Sequence, residues 1–218
     1  MNYILKEGYS VISKFLFLTL VLLIVGFYTN LSFLIGLSIL SFIVALFSCF
    51  FFRNPRRIVT STNADILAPA DGKIMSIENE YYEDLGKVKV VRIFLSIFNV
   101  HIQRAPIEGV IDNIVYTEGK FLPAMDEKAH IENEKNSIDF IKEDGRKVRC
   151  VQIAGIIARR IVVWKSNGDC LKCGDLYGII KFGSQVDIYI PQDAKILVRP
   201  KQKIQAGITK LARWSYIK

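Results

Sequence analysis

Within the stretch IIKFGSQVDIYIP, Gly183-Ser184 sets a hydroxyl between two apolar runs that both read as strands. Either the pair is a β-bulge or turn, or its peptide bond is itself the site of chemistry. Other residues able to react are scattered: Asp71 in PADG, His101 and Arg104 in FNVHIQRAP, and Glu134 in IENEKN. Each has a plain reading as well. Asp71-Gly72 is a standard turn pair, and His101 follows an apolar run and fits a satisfied core histidine as well as a general base. An Asp, a His and a Ser far apart in sequence are what a triad-like site draws from separate elements. Spacing alone leaves both readings open.

What is missing narrows the chemistry. With only two histidines, His101 and His130, a His-rich metal centre is not expected. There is no G-x-S-x-G elbow and no dinucleotide or P-loop glycine pattern. The cysteines are Cys49, Cys150, Cys170 and Cys173. CLKC has the Cys-x-x-Cys spacing but lacks the second pair that zinc wants, and it reads as a turn rather than the start of a redox helix. We expect incidental thiols and no metal.

The elements that must position these residues fall into two parts. Val11–Tyr28 and Leu31–Phe52 are apolar runs long enough to cross a bilayer as helices, joined only by Thr29-Asn30. They predict a membrane anchor over residues 1–57: a hairpin of two transmembrane helices, about 11–28 and 31–52, with a basic flank. Lys6 precedes the first span and Lys14 lies in its first turn, while Arg53, Arg56 and Arg57 follow the second, and the connecting turn is uncharged. The positive-inside rule then places both ends on the cytoplasmic side of the inner membrane.

Residues 58–218 read as a mainly β domain, an antiparallel barrel or sandwich. The expected strands are 72–79, 88–96, 109–116, 137–142, 147–158, 160–164, 177–181, 185–190 and 195–198, with a short helical piece within 125–134. The chain has 29 Lys and Arg against 21 Asp and Glu, a formal net charge of +8. Only Lys6, Glu7 and Lys14 are charged before Arg53, so nearly all of that excess belongs to the β domain and its flank. For a tethered domain the nearer anionic partner is the membrane surface, not nucleic acid.

The blocks FFRNPRR, ILAPADGKI, FLSIFNVHIQRAP, ENEKNS, QIAGIIARRIV and GDLYGIIKFGSQVDIYIP, in that order, resemble the short-form phosphatidylserine decarboxylases. The resemblance spans about Arg53 to Trp214, and the last block is the most specific. It implies a proenzyme that cuts itself between Gly183 and Ser184. The Ser184 oxygen attacks the Gly183 carbonyl, and the resulting ester eliminates to dehydroalanine. Loss of ammonia then leaves a pyruvoyl group, derived from Ser184, as cofactor. Serine is needed as the nucleophile, and glycine leaves the carbonyl open and tolerates strained backbone. The pyruvoyl carbonyl would form the Schiff base with phosphatidylserine and act as electron sink for loss of CO2, giving phosphatidylethanolamine.

By the same resemblance, His101 and Asp71 are the catalytic candidates for activating Ser184 or handling protons. Longer relatives carry two histidines in the block matching NVHIQRAP, whereas this chain has His101 with Arg104 near the second position. Arg104 and Arg159 are the candidates for binding substrate phosphate or carboxylate. Glu134 is a further binding candidate or a loop-structuring residue. The implied partners are phosphatidylserine in the membrane and the anionic membrane surface, with the two cut chains staying together and a homo-oligomer allowed. An archaetidylserine shares the reacting headgroup. A second likeness, of ILAPADGKI and KIQAGITKLA to the halves of a biotinyl- or lipoyl-like carrier domain, predicts instead a modifiable lysine in a hairpin, where Lys73 would be the nearest choice.

Overall fold

The computed structural model describes residues 3–126, 128–156, 161–181 and 183–215. The chain divides into two compact units, residues 1–56 and 57–218.

In the first unit α1 (Lys6–Thr29) and α2 (Ser32–Phe51) form a hairpin. At 1.5 Å per residue they are about 36 and 30 Å long, and both are long and apolar enough to cross a membrane. Asn30 turns the chain in the left-handed region, with φ of 54°. Small residues let the helices approach closely. Ser38, Ser41, Ala45 and Ser48 are the buried stripe of α2, and Ser41 Oγ donates to the Phe15 carbonyl at 2.9 Å. Several larger side chains, among them Phe17, Ile24, Phe33 and Ile39, are left exposed, whereas Phe51 at the end of α2 is buried.

The second unit is mainly β. Its strands are β1 (Asp65–Leu67), β2 (Gly72–Tyr82), β3 (Gly86–Leu95), β4 (Ile102–Arg104), β5 (Gly109–Thr117), β6 (Lys135–Ile141), β7 (Lys147–Ile153), β8 (Ile161–Val163), β9 (Cys170–Leu171), β10 (Leu176–Ile180), β11 (Ser184–Pro191), β12 (Ala194–Ile196), β13 (Lys203–Ile204) and β14 (Lys210–Trp214). Eight of them form one antiparallel sheet in the order β13-β2-β3-β11-β7-β6-β5-β9, which curls into half a barrel. Two three-stranded sheets, β1-β14-β12 and β4-β10-β8, complete the unit.

Period-two alternation explains how the long strands face. Val91, Ile93 and Leu95 of β3 share the core cluster with Val186, Ile188 and Ile190 of β11 and with Tyr177 and Trp214 from the small sheets. Val90, Val151, Ile153 and Tyr189 form a second cluster from the alternate positions. With seven of its eight residues buried, β11 is covered on both faces. The expected long strands are present to within a few residues. The expected strand 147–158 ends at Ile153, and its last two residues lie outside those described. The helical piece within 125–134 is a single turn, α3 (Ala129–Glu132).

Candidate active site

His101 sits just before β4, at the exit of a turn closed by Asn99. The Asn99 Oδ1 accepts the Ser96 N–H at 2.9 Å, and the Asn99 N–H donates to the Ser96 carbonyl at 2.8 Å. The Asn99 carbonyl then accepts from His101 Nδ1 at 3.0 Å. A carbonyl cannot donate, so Nδ1 carries the proton and Nε2 offers a lone pair. That lone pair faces the Gly183 N–H, which lies 3.3 Å from Nε2. The ring is fully buried. Its main-chain carbonyl accepts from Gln103 Nε2 at 2.8 Å and from the Ile180 N–H at 3.3 Å, which ties His101 to the end of β10.

Gly183 has φ of +57°, in the region that favours glycine. Ser184 follows as the first residue of β11, paired with Leu95 of β3. Its side chain is fully buried and its Oγ has no hydrogen-bond partner among the described residues. A buried hydroxyl without a partner is costly and calls for an explanation. The structure therefore brings together Gly183, Ser184 and His101: a glycine at positive φ, a buried hydroxyl with no partner among the described residues, and an imidazole nitrogen that accepts from the Gly183 N–H.

Asp71 belongs to a different cluster. Its Oδ2 accepts from Arg57 Nη2 at 2.7 Å, and its Oδ1 accepts the Ala206 N–H at 2.8 Å. Arg57 also donates from Nη1 to the Ala206 carbonyl at 2.7 Å. Its side chain is only 6% exposed, so Arg57 is a buried counter-charge rather than part of an interfacial basic flank. Arg104 donates from Nη1 to the Gly174 carbonyl at 3.0 Å. Burial, and then the nearby Arg57 guanidinium, pull Arg104 below the usual arginine value, with the Asp71 carboxylate opposing them. Arg104 and His101 are three residues apart on and beside an extended strand, about 10 Å at 3.3 Å per residue. It is the Asn99 carbonyl, not the Asp71 carboxylate, that holds His101 Nδ1.

Glu134 is a loop organiser in its backbone. Its N–H donates to the Lys120 carbonyl and its carbonyl accepts the Ala154 N–H, both at 2.9 Å. The neighbouring Asn133 clamps the same strands, donating from Nδ2 to the Leu122 carbonyl at 2.9 Å and to the Ala154 carbonyl at 2.8 Å. Arg159 lies outside the described residues. Lys73 lies within β2, paired with Phe94 on one side and Lys203 on the other, not at a hairpin tip.

Three residues of this region carry no local mark in the sequence. Arg57 was masked by its place in a basic run, and Asn99 acts through its backbone. Gly155, just past β7, approaches the Gly183 carbonyl so closely that a Cβ there would lie 2.3 Å from that oxygen.

Comparison with known proteins identifies what the chain is similar to. A family model described as phosphatidylserine decarboxylase matches residues 44–212. A protein of Geobacter sp. (strain M21), named phosphatidylserine decarboxylase proenzyme, is 40% identical over 206 residues, 94% of each chain. A protein of the same name from Carboxydothermus hydrogenoformans is 46% identical over 180 residues, 81% of this chain and 84% of its own. Another, from Syntrophus aciditrophicus, is 37% identical over 208 residues, 94% of this chain and 95% of its own.

Proposed function

Because the chain belongs to the phosphatidylserine decarboxylase family, we propose that it is a self-processing lyase that removes CO2 from the serine headgroup of phosphatidylserine to give phosphatidylethanolamine. The observation that carries this reading is the arrangement at two consecutive residues: Gly183 at positive φ with its N–H on His101 Nε2, and Ser184 Oγ buried without a partner among the described residues.

In self-cleavage the Ser184 Oγ bonds to the Gly183 carbonyl carbon and the bond from that carbon to the Ser184 nitrogen breaks. The product is an ester, with the hydroxyl proton ending on the new α-amine. His101 is the favoured proton acceptor, because its Nε2 bears a lone pair and already faces this segment. Elimination across Cα–Cβ of Ser184 then releases the Gly183 carboxylate, and hydrolysis with loss of ammonia leaves the pyruvoyl group. That group supplies an electrophilic carbonyl and an electron sink. His101 Nε2 remains beside it to hold or return a proton. Asp71 enters as the counter-charge that fixes Arg57 near the Arg104 end of β4. Arg104 and Arg159 are assigned to the anionic part of the headgroup, and Glu134 to organising the adjacent loop.

In this reading α1 and α2 cross the inner membrane as a hairpin, and the basic residues at both ends keep the β unit on the cytoplasmic side. A tethered domain meets its bilayer-resident substrate at raised effective concentration. The two chains stay associated because β11 pairs with β3 and β7 on either side, and β13 and β14 pair with β2 and β1. The test is the intact mass of the purified chain beside Ser184→Ala, followed by CO2 release from phosphatidylserine vesicles. Two fragments meeting at Gly183/Ser184, the smaller with a blocked N-terminus, are expected for the wild type only. A whole, inactive wild-type chain under folding conditions would count against the reading.

A further inference from the structure

We propose that Gly155 is a positioning residue for self-cleavage: its bare Cα is the seat of the Gly183 carbonyl oxygen and holds the scissile carbonyl within reach of Ser184. The inference rests on self-cleavage at Gly183–Ser184 and adds what fixes the bond that breaks.

A Cβ built on Gly155 lies 2.3 Å from the Gly183 oxygen and 3.3 Å from the Gly183 carbon. The Cα–H that such a Cβ would replace therefore points at the oxygen, a weak donor contact. Neither partner is free to withdraw. Gly155 follows Ala154, whose N–H donates to the Glu134 carbonyl at 2.9 Å and whose carbonyl accepts from Asn133 Nδ2 at 2.8 Å. Gly183 is held through its N–H by His101 Nε2, and Ser184 is paired into β11 beside Leu95. The Ile97 methyl closes another side, 3.6 Å from where a Gly183 Cβ would stand. The scissile carbonyl is thus located from three directions, one of which is the missing side chain of Gly155.

The oxygen that rests on Gly155 is the one that gains negative charge when Ser184 Oγ adds to the carbon. Alanine at 155 would have to push that oxygen about 0.7 Å to reach even the 3.0 Å limit of real Cβ contacts. A displacement approaching 1 Å at a reacting centre costs on the order of 10²-fold in rate. Close approach alone is not special in this fold: a Cβ on Gly109 would lie 2.2 Å from the Ile141 oxygen. What sets Gly155 apart is that the carbonyl it receives is the one to be attacked. Gly109 therefore supplies a matched control, with the same crowding at a carbonyl that takes no part in the chemistry.

The experiment uses the full-length chain as Gly155→Ala and Gly109→Ala, each alone and combined with Ser184→Ala. Cleavage is followed by mass, with and without hydroxylamine, which intercepts the ester as a hydroxamate at Gly183. The expected result is Gly155→Ala accumulating whole, cleaved on the order of 10²-fold more slowly, with no ester for hydroxylamine to release. Gly109→Ala is expected to lose stability yet cleave at the wild-type rate. Gly155→Ala combined with Ser184→Ala should still unfold cooperatively. Cleavage of Gly155→Ala at the wild-type rate, or its cutting by hydroxylamine at that rate, would overturn the proposal. So would loss of cooperative unfolding in the double variant, which would make Gly155 a folding residue instead. A wild-type chain that never cleaves would instead refute the self-cleavage reading, and this inference with it.

Discussion

Replacing His101 tests the site most directly, because the ring does two separable things. It fills a fully buried space, and it joins the Asn99 carbonyl to the Gly183 N–H through its two nitrogens. His101→Ala removes both. The Gly183 N–H then has lost its acceptor at a half-buried position, costing about 1 kcal/mol, and the vacated ring volume adds a cavity cost of about 2–3 kcal/mol. His101→Phe restores most of the volume and neither hydrogen bond, so its stability should lie between the two. Processing separates them differently: if Nε2 accepts the Ser184 proton, both variants should cleave about 10²- to 10⁴-fold more slowly. The assay is the fraction of full-length chain against time after synthesis, with thermal melts run in parallel. Wild-type processing should also slow on acidification, because an imidazolium donates from both nitrogens and cannot accept from Gly183. Cleavage of folded His101→Phe at the wild-type rate would refute the assignment of His101 as base.

Two further predictions concern charge beside the site. Asp187 is fully buried, with Oδ1 accepting from Gln185 Nε2 at 2.7 Å and Oδ2 3.5 Å from Arg92 Nε, and burial pushes its carboxyl up from 3.8 to about 7. The folded state therefore holds the proton, and the stability this group contributes is lost as pH rises from about 4 to 7. Asp187→Asn should melt higher than its parent at pH 8, by at most about 4 kcal/mol in stability, with the gap shrinking at pH 5; melts in the Ser184→Ala background giving a pH-independent gap would reject this. Asp71→Ala strips the buried Arg57 of its carboxylate and the Ala206 N–H of its acceptor, and should cost about 3–5 kcal/mol. Asp71→Asn, which keeps an acceptor for Ala206, should cost less in the same denaturation assay, and an unchanged midpoint for Asp71→Ala would show the pair to be dispensable.

The long strands were legible because Val and Ile alternate over enough residues to set a period, as in β3 and β11. Of the short ones, β8 and β12 fall within or beside expected strands, and others were not legible. β1, β4, β9 and β13 have two or three residues each, too few to show any period, and they form only because longer strands or loops offer an edge. The site divides the same way. Ser184 and His101 stood out by residue type, but the contact of His101 with Gly183 spans 82 positions and leaves no local pattern. Arg57 was read as part of a basic run, since nothing beside it in the sequence reveals that Asp71 lies opposite. Gly155 is one of 14 glycines, and only the folded chain shows which of them faces the Gly183 carbonyl.

The position of β11 has a consequence for how the protein can be made at all. It lies in the interior of the eight-stranded sheet, with eight residues in register against β3 and five against β7. While the chain is continuous, a connection of a few residues from β10 delivers this strand to its slot. If the peptide before Ser184 opens as proposed, the same insertion becomes an encounter between two molecules, without the loop that kept them close. On the self-cleavage reading the order of events is a ratchet: the covalent chain is the folding template, and its own chemistry erases that template. Denaturation of the cleaved enzyme would then leave two fragments that must find each other again, so its working lifetime would be set by how slowly β11 leaves the sheet.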